Sequence, residues 1–370
     1  MKIVFLCKRR YMSKDVIVDR YARLYEIPHK LAELGNEVEC FCFSYQTDAD
    51  SGVWVHSVER GRLVWRSNYG HGVLPIRFLR HLISLDSFLT DFKPDIIFAA
   101  SDIPNVVVGR LMAYRHKALF VADLYDNFES FGQGRIPGFR TAFRWAVRKA
   151  NIVTCVSQPL TELVQEGYKA RGKALFVPST IDREVFKNLP KSEARAELGL
   201  PAEAKLVGTA GALYREKGIA DLFGAWDTLK LDKELHLVLA GPQDGSIPLP
   251  EGDRVHYLGS ISHKQVATLF SALDVGVMCI PDDLFGKYCF PQKAYEMLAC
   301  GLPVVASEVG AVASLLEDFP ATLYQYGDST SLAFAIRMQL ENRQVVELPI
   351  KDWRSVVAEI DAEIRSALYC

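Results

Sequence analysis

Short apolar runs rich in β-branched residues alternate with longer amphipathic segments along the whole chain. Five such runs fall in the first half, among them KIVFLC, EVECFCF and DIIFAA, and five fall in the second, among them AKLVGTA, LHLVLAG and PVVAS. A strand that is apolar throughout is buried on both faces, which requires a parallel sheet covered by helices. The pattern therefore predicts the α/β class.

The composition narrows the class of protein. The chain has 370 residues, 49% of them hydrophobic, and so exceeds the size at which one core usually divides into two domains. Its formal net charge of −2 gives no overall field that would gather nucleic acid, so we expect no nucleic-acid partner. Eight cysteines lie in apolar runs without a Cys-x-x-Cys pair, which favours buried thiols in a cytoplasmic protein.

A polar, charged segment with two prolines separates the two series of strands: IDREVFKNLPKSEARAELGLPAEAK. The final segment carries apolar residues on one stripe and is predicted as an amphipathic helix. We therefore expect four parts: a first domain over residues 1–182, a linker over 183–204, a second domain over 205–350 and a C-terminal helix over 351–370.

The stretch FPQKAYEMLACGLPVVAS predicts a helix over residues 291–300. Proline suits the first turn of a helix, and Gly301 suits the left-handed residue after the last turn. Lys293 and Glu296 share one face near the start of this helix, where the helix dipole favours a phosphate. Glu296 can accept hydrogen bonds from two adjacent hydroxyls, such as those of a ribose. An ordinary ion pair on a solvated face explains the two residues equally well.

A glycine-containing turn between a strand and a helix occurs in GTAGALYREKGIADLFGAWDTL. Arg215 and Lys217 lie at this turn, and glycine permits close approach of the backbone to a ligand. The segment matches neither the G-x-G-x-x-G fingerprint nor a P-loop. Two basic residues beside a second helix start therefore indicate a diphosphate, and they disfavour a nicotinamide oxidoreductase.

These motifs resemble those of the GT-B fold glycosyltransferases, specifically family 4 of the retaining enzymes that use nucleotide sugars. FKPDIIFAAS and VPSTIDREVF resemble the first domain of that family, and GALYREKG, LHLVLAGP and FPQKAYEMLACGLPVVAS resemble its donor domain. The resemblance implies two Rossmann-like domains facing across a cleft, the N-terminal one holding the acceptor and the C-terminal one the donor. It also implies that the C-terminal helix crosses back to the first domain.

The resemblance assigns roles to individual residues of the donor site. It implies that Lys217 binds the diphosphate, that Glu296 holds the ribose hydroxyls, and that Lys293 lies near the phosphates or the sugar. No metal and no cofactor beyond the nucleotide sugar are required if basic side chains stabilise the leaving diphosphate. The remaining members of the implied site are Gly211, Arg215 and Gly241.

The chain departs from the family pattern where the family usually carries its first glutamate, because Tyr288 occupies that place. Contact with the transferred sugar must then come from other groups, for which Asp282, Asp283 and Tyr288 are the candidates. The leading interpretation is a retaining, metal-independent hexosyltransferase of polysaccharide or glycolipid biosynthesis, with a UDP- or GDP-linked donor and a glycan or lipid-linked acceptor. The alternatives are a catalytically inactive GT-B scaffold or partner subunit, and a sugar-nucleotide epimerase.

Two features of the first half concern the acceptor. Asp126 follows an apolar strand, where the family often carries an aspartate or histidine facing the acceptor; it is a candidate catalytic base and equally an ordinary turn residue. Arg140, Arg144 and Arg148 recur at every fourth position beside Trp145. This stripe suggests peripheral contact with an anionic membrane or with a phosphorylated acceptor, although solvated basic faces are common.

Overall fold

The computed structural model describes residues 1–11, 14–20, 22–45, 51–67, 73–347 and 350–369. Two compact units make up the chain, one from Met1–Ser179 together with Lys351–Cys370, and one from Thr180–Ile350. Each unit contains a mostly parallel sheet flanked by helices, so the predicted α/β class is confirmed.

The regular elements follow one another along the chain as strands and connecting helices. The first ones are β1 (Lys2–Lys8), β2 (Arg10–Tyr11), β3 (Lys14–Asp15), α1 (Ala22–Glu33), β4 (Glu37–Phe43), β5 (Gly52–His56), β6 (Arg62–Ser67), α2 (Leu74–Phe92), β7 (Ile96–Ala100), α3 (Ile103–His116), β8 (Leu119–Leu124), α4 (Phe139–Arg148), β9 (Ile152–Cys155), α5 (Gln158–Glu162) and β10 (Lys173–Phe176). The later ones are α6 (Lys191–Glu197), β11 (Lys205–Ala210), α7 (Ala220–Leu229), β12 (Leu235–Ala240), β13 (Val255–Tyr257), α8 (His263–Ala272), β14 (Val275–Met278), α9 (Leu284–Tyr288), α10 (Gln292–Ala299), β15 (Val304–Ser307), α11 (Gly310–Leu315), β16 (Leu323–Tyr324), α12 (Ser329–Glu341) and α13 (Trp353–Tyr369).

The sheet of the first unit has the strand order β10-β9-β8-β7-β1-β4-β6-β5. All its pairs are parallel except that of β5 with β6. The sequence analysis predicted β1, β4, β7, β8 and β9 from their apolar runs, and the structure confirms them. It did not identify β5, β6 or β10. The edge strands β5 and β10 are only partly buried, and β6 has just three consecutive apolar residues between two arginines.

Helices α1 and α13 pack against each other over one face of this sheet. Leu24 of α1 and Ile360 of α13 belong to the same buried cluster as the strand residues Phe5, Cys40 and Phe98. The C-terminal segment, which the family resemblance assigned to the first domain, therefore contributes to the core of the first unit.

A buried ion pair joins the first turn of α1 to the carboxyl-terminal part of β8 in the first sheet. Arg23 Nη2 lies 2.6 Å from Asp123 Oδ1, and the two side chains are 1% and 0% exposed. The Thr154 hydroxyl donates to the same carboxylate at 2.6 Å, and the Arg23 guanidinium also donates to the carbonyl oxygen of Val177. One charge pair thus joins α1 with β8 and β9.

Replacing Asp123 by alanine is expected to lower the free energy of unfolding by about 3–5 kcal/mol, because the Arg23 guanidinium stays buried without its counter-charge. Urea denaturation followed by circular dichroism measures the loss. Glu234→Ala breaks the exposed Lys205–Glu234 pair and serves as the control, with no change in the midpoint expected. Equal losses in the two variants would contradict the structural role of Asp123.

Helix α2 buries a histidine in an aromatic environment. The His81 ring lies 5.2 Å from the Phe43 ring and 6.4 Å from the Phe41 ring, measured between centroids. Its Nδ1 is buried and has no hydrogen-bond partner within the described ranges. Burial lowers the pKa of His81 to about 4.

This histidine predicts a loss of stability in acid. The unfolded chain binds the His81 proton with a pKa of about 6.5, above the folded value, so the free energy of unfolding falls as pH decreases from about 6.5 toward 4. The contribution reaches about 3 kcal/mol at the acid end. His81→Leu should flatten this pH dependence in urea denaturation at a series of pH values.

The control for that experiment is His263→Leu. The Glu296 carboxylate raises the pKa of His263, so this histidine adds stability below about pH 6.5 and loses that contribution as pH rises. Its removal should therefore steepen the acid loss, by a small amount because the side chain is 64% exposed. An unchanged pH dependence in His81→Leu would contradict the assignment.

The sheet of the second unit has the order β13-β12-β11-β14-β15-β16, and all its pairs are parallel. One face carries a core that includes Val238, Phe270 and Met297, and the other carries a core that includes Leu237 and Trp226. The five apolar runs of the second half coincide with β11, β12, β13, β14 and β15, so those strand predictions are confirmed. Within the described ranges, no helix combines the length and the apolar character that crossing a bilayer requires.

Residues 183–204, which the sequence analysis assigned to a linker, lie inside the second unit. Phe186, Ala194 and Leu200 are buried in its core, and α6 packs against α8. The Arg195 guanidinium, also buried, pairs with Asp274 at 2.8 Å. Only a few spaced residues of the segment face the core, so its sequence is mostly polar. These apolar residues were too sparse for the sequence analysis to identify the segment as part of the domain.

Candidate functional site

Two glycines shape the carboxyl edge of the second sheet. β11 ends at Ala210 and β12 at Ala240, and the residues that follow have positive φ, +135° at Gly211 and +126° at Gly241. A Cβ atom added to Gly241 would lie 2.0 Å from the carbonyl oxygen of Gly211. The two backbones approach too closely for any side chain, so the edge between these strands is lined by bare main chain.

Lys293 lies directly above this edge. A Cβ atom on Gly211 would lie 2.8 Å from Lys293 Nζ. The ammonium group makes no hydrogen bond or ion pair with another described residue. Burial lowers the pKa of Lys293, and the Glu296 carboxylate partly offsets this effect. A desolvated cation without a partner is a strong attractor for an anion.

The helix that carries Lys293 has the predicted form. α10 begins at Gln292, directly after Pro291, and ends at Ala299, and Gly301 follows at a φ of +69°. The predicted helix over 291–300 is therefore confirmed to within one residue at each end. Because the helix starts at the carboxyl edge of the sheet, its N-terminal turn and Lys293 face the same region as Gly211.

Glu296 is held by two neighbours. Its side chain is 13% exposed, and Oε1 accepts a hydrogen bond from Gln292 Nε2 at 3.3 Å and lies 3.8 Å from His263 Nε2. The Phe186 ring packs against the imidazole of His263 at 4.7 Å. The carboxylate is thus oriented on one side and remains partly accessible, which suits an acceptor of hydrogen bonds from a diol.

Lys217 approaches the site from the turn after β11. Arg215–Lys217 form one turn of 3₁₀-helix, and Gly218 follows with a φ of +79°. A Cβ atom on Gly218 would lie 3.2 Å from the carbonyl oxygen of Cys279, just after β14. Lys217 Nζ lies 4.7 Å from the centre of the Phe285 ring on α9. The ends of β11 and β14 and the helices α9 and α10 therefore enclose one region.

Arg215, the third predicted cation, is directed to a neighbouring loop. Its backbone N–H donates to the Ser246 hydroxyl at 2.9 Å, and its Nε donates to the Ser246 carbonyl oxygen at 3.2 Å. The side chain is exposed. Arg215 thus borders the region that Lys217 occupies, and its guanidinium retains N–H groups for a ligand.

The predicted sugar contacts lie on α9 and in the turn just before it. Asp283 caps this helix by accepting a hydrogen bond from the Gly286 N–H at 2.8 Å, and Asp282 pairs with Lys287 at 3.2 Å. Tyr288, partly exposed, is the last residue of the helix. The two aspartates therefore shape the turn that leads into α9.

Two aspartates only three positions apart, Asp123 and Asp126, have different environments in the first unit. The Asp123 carboxylate lies in the interior and accepts hydrogen bonds from the side chains of Arg23 and Thr154. Asp126, 8% exposed, accepts a hydrogen bond from the Asn127 N–H at 2.8 Å, as an aspartate in a turn does. Only Asp126 lies beyond the end of its strand, at the carboxyl edge of the sheet.

Further charged groups at this edge were missed by the sequence analysis. Lys8, at the end of β1, lies over the rings of Tyr11 and Tyr125 at 5.6 and 5.7 Å. Burial lowers the pKa of Lys8, and the carboxylates of Asp102 and Asp126 partly offset this effect. At this edge, Lys8 therefore lies close enough to Asp102 and Asp126 for their charges to act on it.

The residue before Asp102 has an unusual backbone. Ser101 has a φ of +85°, rare for a residue other than glycine, and its hydroxyl accepts a hydrogen bond from the Lys8 N–H at 2.8 Å. Asp102 accepts from the Tyr45 hydroxyl at 2.8 Å, and burial raises its pKa. Both residues follow the run DIIFAA, so the rule that sites lie at strand ends could have identified them.

The arrangement in the second unit can hold an anion and a diol. Lys293 supplies positive charge over bare main chain, Lys217 adds a second cation beside Phe285, and Glu296 supplies an oriented acceptor. Within the described part of the chain, no three His, Cys, Asp or Glu side chains lie together as a metal site would require.

Alanine at Gly241 tests the close approach of the two strands. We expect Gly241→Ala to lower the free energy of unfolding by at least about 2 kcal/mol more than Gly245→Ala, measured by urea denaturation. Both positions have positive φ, but only Gly245 has open space around its would-be Cβ atom. Gly245→Ala therefore reports the conformational cost alone, roughly 1 kcal/mol. Equal losses would show that the contact between the strands relaxes freely.

Comparison with known families covers most of the chain. The profile described as Glycosyltransferase Family 4 matches residues 22–185, and the profile described as Glycosyl transferases group 1 matches residues 204–342. The chain is 27% identical over 275 residues to the putative teichuronic acid biosynthesis glycosyltransferase TuaC of Bacillus subtilis, covering 74% of this chain and 68% of the relative. It is 31% identical over 149 residues to the D-inositol 3-phosphate glycosyltransferase of Mycobacterium tuberculosis, where it spans only 30% of the relative.

Solved structures share the fold at low sequence identity. Sucrose-phosphate synthase from Thermosynechococcus elongatus superposes with a TM-score of 0.72 at 18% identity, covering 99% of both chains. Anabaena HepE in complex with UDP-glucose superposes with a TM-score of 0.64 at 17% identity, covering 100% of both chains. These likenesses extend over both units.

Proposed function

Since this chain belongs to the family 4 glycosyltransferases of the GT-B fold, we propose that it transfers a sugar from a nucleoside diphosphate sugar to an acceptor hydroxyl. The observation that carries the proposal is the unpartnered ammonium of Lys293, held over bare main chain one helical turn before Glu296. A site of this kind suits a diphosphate joined to a ribose.

In the proposed complex, Lys217 and Lys293 bind the diphosphate and Glu296 accepts hydrogen bonds from the ribose hydroxyls. Gln292 and His263 position the Glu296 carboxylate. The structural relative HepE was solved with UDP-glucose, which supports a nucleotide sugar as the ligand. The donor is proposed to carry UDP or GDP.

The proposed chemistry follows from where charge develops. When the bond between sugar and phosphate breaks, negative charge accumulates on the departing diphosphate, and preorganised cations stabilise that charge most in the transition state. Lys217 and Lys293 are the cations placed to do so, with Arg215 assisting from the neighbouring turn. We propose a retaining reaction that needs no metal, on the basis of the family and of these side chains.

The acceptor is proposed to bind at the carboxyl edge of the first sheet. Asp126 is the candidate base for the acceptor hydroxyl, and its carboxylate lies near enough to Lys8 to favour the charged form of that lysine. The similarity to a putative teichuronic acid glycosyltransferase supports a role in polysaccharide or glycolipid biosynthesis, with a glycan or lipid-linked acceptor.

A second candidate function is an inactive GT-B scaffold, favoured by Tyr288 in place of the usual glutamate. The donor-binding residues are intact in either case, so binding alone does not separate the two. Incubation with a panel of nucleotide sugars and acceptors does, since an enzyme releases nucleoside diphosphate and a scaffold releases none. Conversion of the donor without an acceptor would instead indicate an epimerase.

We expect Lys217→Ala and Glu296→Ala each to weaken binding of UDP or GDP at least about tenfold, because each loses a charge-assisted hydrogen bond. Isothermal titration calorimetry measures the affinity. Lys230→Ala is the control, since Lys230 is an exposed lysine just after α7 whose side chain pairs with Asp227. Unchanged affinity in both site variants would refute the placement of the nucleotide.

A further inference from the structure

Helix α4 presents a basic and aromatic surface. Arg140, Arg144, Trp145 and Arg148 are exposed on this helix, and Lys149 is exposed directly after it. The connection before α4 adds two exposed apolar side chains and one arginine. We call the whole set the α4 surface: Phe131, Arg135, Ile136, Arg140, Arg144, Trp145, Arg148 and Lys149.

The orientation of α4 is fixed by its opposite side. Phe143, Ala146 and Val147 are buried, so the helix cannot rotate to bury Trp145 without exposing them. Trp145 is 41% exposed, Phe131 42% and Ile136 45%. The fold therefore holds three large apolar side chains toward solvent beside a row of cations.

Part of the charge on this surface is neutralised within the fold. Arg144 makes a bidentate pair with Glu129, at 2.6 and 2.7 Å, and its guanidinium lies 5.2 Å from the centre of the Tyr168 ring. Arg144 is therefore a structural anchor for α4. The sequence analysis included Arg144 in the basic stripe, and in the structure the Glu129 carboxylate neutralises its charge.

The other cations are available. The side chains of Arg135, Arg148 and Lys149 make no hydrogen bond or ion pair with any residue that the structure describes. Arg140 donates only to the main-chain carbonyl oxygen of Glu129, at 3.4 Å, which leaves its charge uncompensated. No aspartate or glutamate occurs between residues 130 and 161. The surface thus carries a local excess of positive charge although the whole chain is slightly acidic.

We propose that the α4 surface docks on an anionic lipid bilayer. Tryptophan and other large apolar side chains prefer the boundary between headgroups and acyl chains, and flanking Lys and Arg side chains bind anionic headgroups. The α4 surface contains both elements on one side of one helix. Exposed Phe131 and Ile136 distinguish it from a purely basic face, which would suit soluble phosphates or nucleic acid equally well. The inference does not depend on the transfer reaction.

The test is co-sedimentation of the full chain with vesicles of phosphatidylcholine alone or mixed with phosphatidylglycerol. We expect the protein to bind the mixed vesicles and to bind phosphatidylcholine vesicles only weakly. Trp145→Glu combined with Arg148→Glu should reduce partition into the mixed vesicles at least about tenfold, since it removes an apolar anchor and reverses a charge. Arg135→Glu combined with Lys149→Glu is the second variant, and it should reduce binding through charge alone.

The matched control is Phe334→Glu combined with Arg337→Glu. These two residues are exposed on α12 of the second unit, with the same spacing of three and the same change in charge as Trp145 and Arg148. The control should bind as the unmodified protein does, and thermal melts should show all variants folded. Absence of binding by the unmodified protein, or an equal loss in the control, overturns the proposal. Light scattering provides a further check. If the unmodified protein is a dimer and the variant with Trp145→Glu and Arg148→Glu is a monomer, the surface binds a second copy of the chain, and the proposal is overturned as well.

Discussion

The close approach of the main chain at Gly211 and Gly241 is the constraint on which the candidate site depends. The strands of a parallel sheet all end at this edge, and residues other than glycine would fill the space above it with their side chains. With glycine at both positions, the space above the strand ends is left to Lys293. The lysine keeps its charge above this main chain and close to the start of α10, a combination that favours an anion over any neutral ligand.

The sequence predicted the parts of the fold that rest on continuous apolar runs. β11, β12 and β15 are buried on both faces, so no alternation with polar residues obscures them. The sequence analysis did not place residues 183–204 in a domain, for the opposite reason. Only a few of these residues contribute to the core, and they are spaced within a charged stretch. A short helix that covers the margin of a domain cannot be told from a linker without the surface on which it packs.

The candidate site was predictable where it depends on local spacing. Lys293 and Glu296 are three apart on one helix, and their shared face follows from helix geometry alone. The pairing of Glu296 with His263 depends on the packing of α8 beside α10, which no local pattern reveals. In the same way, Asp123 and Asp126 differ by three positions, yet one is bound by an arginine a hundred residues earlier in the chain and the other lies at the sheet edge.

Each unit holds a lysine whose pKa is lowered by burial at the carboxyl edge of its sheet, Lys8 in the first and Lys293 in the second. Desolvating an ammonium group costs free energy that neither lysine recovers through an ion pair with another described residue. The surroundings differ in a way that separates their roles. Lys8 faces the carboxylates of Asp102 and Asp126, so its charge already has compensation within the fold. Lys293 faces one carboxylate, Glu296, which His263 and Gln292 already engage, so in the proposed donor complex the diphosphate would supply the compensating charge.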